Sequence, residues 1–140
     1  TEFFDVNFKD KLLSEFDDID EECDGVLING ENFGALNLLQ ERYKEQIKTV
    51  YIDPPYNTGK DGFLYNDSYQ HSSWMSFIYD RLALVHNLMN SESVIFSSID
   101  DFESKNLLEI QNQVFGNQNF LLPFFIQVRF ENKTLSEDSD

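Results

Sequence analysis

The residues best equipped for chemistry are Asp53-Pro54-Pro55-Tyr56, followed by Asn57-Thr58-Gly59 and preceded by the apolar stretch Ile47-Lys-Thr-Val-Tyr-Ile52. An ionised carboxylate accepts hydrogen bonds from an amino group. Two prolines fix the backbone and present carbonyls with no N–H to compete. An aromatic ring offers a face on which a flat base can stack. Together these groups suit transfer to an exocyclic nitrogen of a nucleobase, methyl transfer above all. Packing gives no reason for a strand to end in an acid, two prolines and a ring, so the turn is read as functional.

The pattern around the turn predicts the elements that hold it. Val26-Leu27-Ile28 reads as a short strand ending at Asn29-Gly30-Glu31-Asn32, after which Phe33, Leu36, Leu39 and Tyr43 recur at helical spacing through residue 44. Ile47–Ile52 is the second predicted strand, and residues 57–71, with glycines at 59 and 62, a loop. Ser72 or Ser73 is the expected cap of a helix with apolar positions Trp74, Phe77, Ile78, Leu82, Val85, Leu88 and Met89. Trp74 is expected in its core face. Val94-Ile95-Phe96 with Ile99 forms a third strand closed by Asp100-Asp101, and a helix over about 103–115 stops at Gly116. Phe120–Phe130 reads as a last strand region, with Pro123 marking an edge or bulge.

Strands alternating with helices predict an α/β fold, a three-layer α/β/α sandwich with a mainly parallel sheet. Ligands in such sheets bind beyond the carboxyl ends of the strands. Asn29–Asn32, Asp53–Gly59 and Asp100-Asp101 are therefore expected to converge on one rim.

Composition bounds the rest. The 140 residues suffice for one domain, and 14 phenylalanines supply a core. No apolar run is long enough to span a bilayer. Cys23 is the only cysteine, which excludes an internal disulfide and suits a reducing compartment, so a cytoplasmic protein is expected. His71 and His86 lack the neighbours a metal site needs. The formal charge of −16 is uneven: residues 1–24 hold ten acids and two lysines. They read as an acidic N-terminal arm, residues 25–130 as the folded domain and residues 131–140 as a polar tail. Lys60, Arg81, Lys105 and Arg129 are scattered, so few phosphates could be neutralised by these residues.

The segment Val50-Tyr-Ile-Asp-Pro-Pro-Tyr-Asn-Thr-Gly59 resembles the catalytic motif of amino-group DNA methyltransferases, and Asp at its first position resembles the adenine-N6 branch. Around it stand Gly30-Glu-Asn-Phe-Gly-Ala-Leu36, Phe63-Leu-Tyr-Asn-Asp67, His71-Ser-Ser-Trp74, Tyr79-Asp-Arg-Leu82 and Val94-Ile-Phe-Ser-Ser-Ile-Asp-Asp101. This series, over roughly residues 25–120, is similar to the modification (Mod) subunit of type III restriction–modification systems. The resemblance implies a partial Rossmann-like, S-adenosylmethionine-dependent methyltransferase fold. It implies Asp53, Pro54, Pro55 and Tyr56 as catalytic residues, Asp53, Glu31 and Asn29 on the cofactor side, and Tyr56, Asn57 and Thr58 on the substrate side.

The same resemblance implies double-stranded DNA as substrate, with a homodimer and a restriction (nuclease) subunit as partners. Residues 58–67 are expected in a loop over the target. Enzymes of this arrangement carry the glycine loop for S-adenosylmethionine after a target-recognition region. Six glycines, at 25, 30, 34, 59, 62 and 116, contain no close Gly-x-Gly pair, so the chain reads as the front of a larger enzyme, inactive alone. The alternative is a non-catalytic methyltransferase-like interaction module or dimer partner.

Overall fold

The computed structural model describes residues 3–59 and 69–126. Helices α1 (Val6–Leu13) and α2 (Ile19–Glu22) lie in the acidic arm and bury none of the described side chains. Then come α3 (Asn32–Tyr43), β1 (Ile47–Ile52), α4 (His71–Leu88), β2 (Met89–Ser97), α5 (Ser104–Phe115) and a 3₁₀ turn (Asn117–Asn119).

Strands β1 and β2 pair in parallel, with Thr49, Val50, Tyr51 and Ile52 opposite Val94, Ile95, Phe96 and Ser97. A parallel pair needs a crossover, and α4 supplies it. The register slips between Ile47 and Thr49, where β2 takes up the residues between Met89 and Val94. Helices lie on both sides of this sheet, so the α/β architecture expected from the pattern is present.

The core forms where α4 presents Trp74, Ile78, Leu82, Val85 and Leu88, steps of three and four that keep one helical face buried. Trp74, Ile78 and Leu82 pack with Leu107 and Ile110 of α5, and Ile52 and Ile95 close the cluster from the sheet. Each such side chain contributes about 1.5–3 kcal/mol on burial. Trp74, 0% exposed, is the centre of that core as its spacing predicted. Helix α4 starts at His71 behind Gln70, which makes no side-chain cap bond, rather than at a serine cap. Helix α5 ends at Gly116, whose φ of 87° is the left-handed conformation that glycine reaches without strain.

Among the described residues, two predicted strand regions carry no ladder. Val26–Ile28 carries no ladder, and Val26 and Leu27 are 63% and 96% exposed. Phe120–Ile126 is also irregular, residues 127–130 lying outside the described ones. A strand exists only with a partner for its N–H and C=O groups. Among the described residues β1 pairs with β2 alone. Cys23, Asp24, Gly25, Val26 and Ile28 instead border a groove of about 930 Å³ beside α3 and Thr49–Tyr51 of β1. Pro123 removes one donor from the other segment.

Candidate active site

The ladder ends one step beyond β1, where Ser98 N donates to the Ile52 carbonyl at 2.9 Å. The Tyr51 hydroxyl and Ser98 Oγ lie 2.5 Å apart across the same end. Asp53 leaves the sheet there, exposed, and Pro54, Pro55 and Tyr56 follow half-buried. The turn is pinned from behind. The Trp74 indole Nε1–H donates to the Pro55 carbonyl at 2.8 Å, so a core residue of α4 fixes the second proline. Asn57 stands at φ 60°, unusual outside glycine. Its side chain accounts for this: Oδ1 accepts from Tyr69 N at 2.6 Å, and Nδ2 donates to Tyr69 O at 3.0 Å and to Glu103 Oε1 at 2.6 Å.

On the open side, the Tyr56 ring stands near the Asp53 carboxylate. Desolvation first, then the neighbouring Asp53 and the charges of Tyr51 and Asp100, push the Tyr56 phenol up to about 12. A phenolate beside these groups would be a second negative charge in a partly dry place, so Tyr56 stays neutral. The Asp53 carboxylate itself has about four acceptor positions. Among the described residues, nothing donates to the Pro54 carbonyl. Asp53 and that carbonyl thus present acceptor capacity beside a half-buried ring. The bond from Ser98 N to the Ile52 carbonyl brings the turn at Asp53 and the segment leading into Asp100-Asp101 to the same end of the sheet.

The third loop is engaged elsewhere. Glu31 caps α3, accepting from Gly34 N at 3.0 Å, and pairs with Arg81 Nη2 at 2.7 Å. Backbone donors of Phe33 and Gly34, and then Arg81, hold its carboxyl below the usual range. Arg81 also donates to Asn32 Oδ1 at 2.6 Å and lies 3.7 Å from the centre of the Phe77 ring. Each Glu31 oxygen accepts one bond, and Asn29 is exposed ahead of the helix.

The placement of Asn57 corrects the substrate contact expected for it. At 4% exposure, with its amide committed to Tyr69 and Glu103, it holds the turn and faces no open cleft. Thr58 is half-buried. Phe63 and Tyr65, and the loop expected over 58–67 beyond Gly59, lie outside the described residues. Sequence reading missed Glu103 and Asn106 altogether. The available signals were an asparagine directly after the motif and the His71-x-x-Trp74 spacing.

Residues 47–139 match a family model described as DNA methylase. The chain belongs to the DNA methylase family. Among its relatives is a probable type III restriction-modification enzyme, the HindVI Mod subunit of Haemophilus influenzae. That protein is 42% identical over 99 residues, covering 71% of this chain and 13% of the relative. The EcoPI Mod subunit of Escherichia phage P1, another type III enzyme, is 38% identical over 126 residues, covering 69% and 20%. The type II methyltransferase M.KpnI of Klebsiella pneumoniae is 32% identical over 118 residues, covering 78% and 28%. The resemblance read from the motifs is therefore upheld. This DNA methylase chain spans between 13% and 28% of the length of these three relatives. No described helix is long and apolar enough to cross a membrane.

Proposed function

We propose that the whole protein carrying these residues transfers a methyl group from S-adenosylmethionine to adenine N6 in DNA, as the modification part of a restriction–modification system. The observation that carries this reading is the turn itself. An exposed carboxylate, an open proline carbonyl and a half-buried aromatic ring stand at the carboxyl end of a parallel strand, clamped from the core side by Trp74 and Asn57.

The adenine amino group is a weak nucleophile because its lone pair is delocalised into the ring. Asp53 and the Pro54 carbonyl accept its two hydrogens and favour a more tetrahedral, electron-rich nitrogen. Placement and preorganised acceptors do this work, without a strong base. The Tyr56 ring supports the base. Everting a base costs a few kcal/mol, and stacking on a ring returns about 1–3 kcal/mol.

S-adenosylmethionine, when bound, supplies an electrophilic methyl group on a sulfonium. Its fit to this chain is partial. The exposed Asp53 carboxylate suits the ammonium of its amino-acid part. Glu31 is spent on α3 and Arg81, and these 140 residues hold no close Gly-x-Gly pair. The remaining contacts, and the basic surface for double-stranded DNA, are assigned to the rest of the whole protein, acting in the cytoplasm. Homodimerisation and a nuclease subunit belong to the same proposal.

The test is to incubate the whole protein with methyl-labelled S-adenosylmethionine and mixed-sequence duplex DNA, then digest to nucleosides. Label in N6-methyldeoxyadenosine supports the reading. Label in N4-methyldeoxycytidine refutes the adenine assignment. No transfer to any duplex favours a non-catalytic interaction module.

A further inference from the structure

The fully buried carboxylate of Glu103 has no part in the chemistry described above. At 0% exposure it is an expensive group to bury, and such groups persist only when fully hydrogen-bonded. It stands at the N-cap of α5 yet makes no side-chain cap bond to that helix. Its oxygens turn inward to three donors. Oε1 accepts from Asn57 Nδ2 at 2.6 Å and from His71 Nδ1 at 2.8 Å, and Oε2 accepts from Asn106 Nδ2 at 2.6 Å.

The three donors come from three places: the turn after β1, the first residue of α4, and the first turn of α5. Glu103 is where the reactive turn is tied to both flanking helices. Asn57 is the residue next to Tyr56 and holds a left-handed φ of 60°. One Nδ2 hydrogen of Asn57 goes to Tyr69 O and the other to Glu103, so the carboxylate completes what keeps Asn57 in that conformation.

We infer that Glu103 is a positioning residue, which acts through Asn57 to set the placement of Asp53 and Tyr56 for methyl transfer. This rests on the proposed function, since the placement matters to turnover only if the turn performs that chemistry. Misplacing reacting groups by about 1 Å costs about a hundredfold in rate.

The experiment compares Glu103→Ala, Glu103→Gln and wild type in the whole protein. It measures kcat and KM for methyl transfer to duplex DNA, and hydrogen exchange at the Tyr69 amide, whose N–H donates to Asn57. Expected for Glu103→Ala is a fall in kcat of about a hundredfold with KM within about twofold. Exchange at Tyr69 is expected to rise about tenfold as its hydrogen bond loosens. Glu103→Gln, which keeps one acceptor oxygen, is expected to lose about tenfold in kcat at unchanged KM, a smaller fall than Glu103→Ala.

Unchanged kcat, a loss confined to KM, or unchanged exchange at Tyr69 overturns the inference. Should Glu103→Ala not fold, Glu103→Gln decides: wild-type kcat and exchange overturn it, and a fall in kcat at constant KM supports it. Should the wild type transfer no methyl group to any DNA, the functional reading fails by itself. Exchange at Tyr69 then still tells whether Glu103 holds the turn.

Discussion

Trp74→Phe isolates the hydrogen bond between the core and the reactive turn. The substitution keeps a buried ring and deletes the Nε1–H that reaches the Pro55 carbonyl at 2.8 Å. Leaving a half-buried carbonyl without its donor costs about 1–3 kcal/mol. The smaller ring adds about 1–2 kcal/mol, a fraction of the 3–5 kcal/mol for removing such a side chain altogether. The sum, about 2–5 kcal/mol, is a large share of a typical domain stability of about 5–15 kcal/mol.

Urea unfolding of the domain reads this as a lower midpoint at constant slope. Turnover should fall as well, by about ten- to a hundredfold in kcat, because Pro55 lies between Asp53 and Tyr56. Leu82→Ala is the control. It opens a cavity at a site 2% exposed, two turns along the same helix, and removes no hydrogen bond to the turn. It should lose about 2–5 kcal/mol while the folded enzyme keeps its kcat. Equal kcat in the Trp74→Phe and wild-type proteins would refute the idea that the indole places the turn.

The Tyr56 phenol, pushed up to about 12 mainly by desolvation and by Asp53, should appear as a late step in phenolate absorbance that moves down in Asp53→Asn. Because its folded value lies above the ordinary 10.0, its stabilising contribution is complete below pH 10 and is lost as pH rises towards 12. Tyr56→Phe should flatten that part of the stability curve. Glu31 has the opposite sign: its lowered pKa contributes above pH 4.5 and is lost as pH falls through the folded value, so Glu31→Gln should flatten the acid limb. Asn57→Gly accepts the φ of 60° but removes three hydrogen bonds; a loss of about 2–4 kcal/mol in urea unfolding is expected. Arg81→Met gives up the contact over the Phe77 ring and should cost about 1–2 kcal/mol in the same assay, the exposed ion pair adding little.

How much was legible follows from the range of each interaction. Ile47–Ile52 announced itself as a strand, although its side chains are half-buried or exposed and not buried as expected. The positions 74, 78, 82, 85 and 88 gave the buried face of α4, and Gly116 gave the end of α5, because all three signals are local. Val26–Ile28 misled because its apolar pattern is real, yet strand formation also needs a neighbour, and β1 pairs with β2 alone among the described residues. Asp53–Tyr56 stood out as a candidate for chemistry because its residue types fit no packing purpose. The clamp behind it was not. Asn57 meets Glu103 across 46 residues and Trp74 meets Pro55 across 19, and no local pattern encodes such pairs. Asn57 was accordingly assigned to substrate when its side chain was holding the turn.

The account depends on one carboxylate at the end of β1. The direct measurement is N6-methyladenine formation by the whole protein with Asp53 intact and with Asp53→Ala, each shown folded by an unchanged unfolding midpoint. Asp53 is exposed, so the substitution leaves the core alone. The account predicts at least about a thousandfold loss of methyl transfer, the scale of removing a preorganised group at a reacting centre. Methyl transfer by the folded Asp53→Ala protein at near the wild-type rate would contradict it.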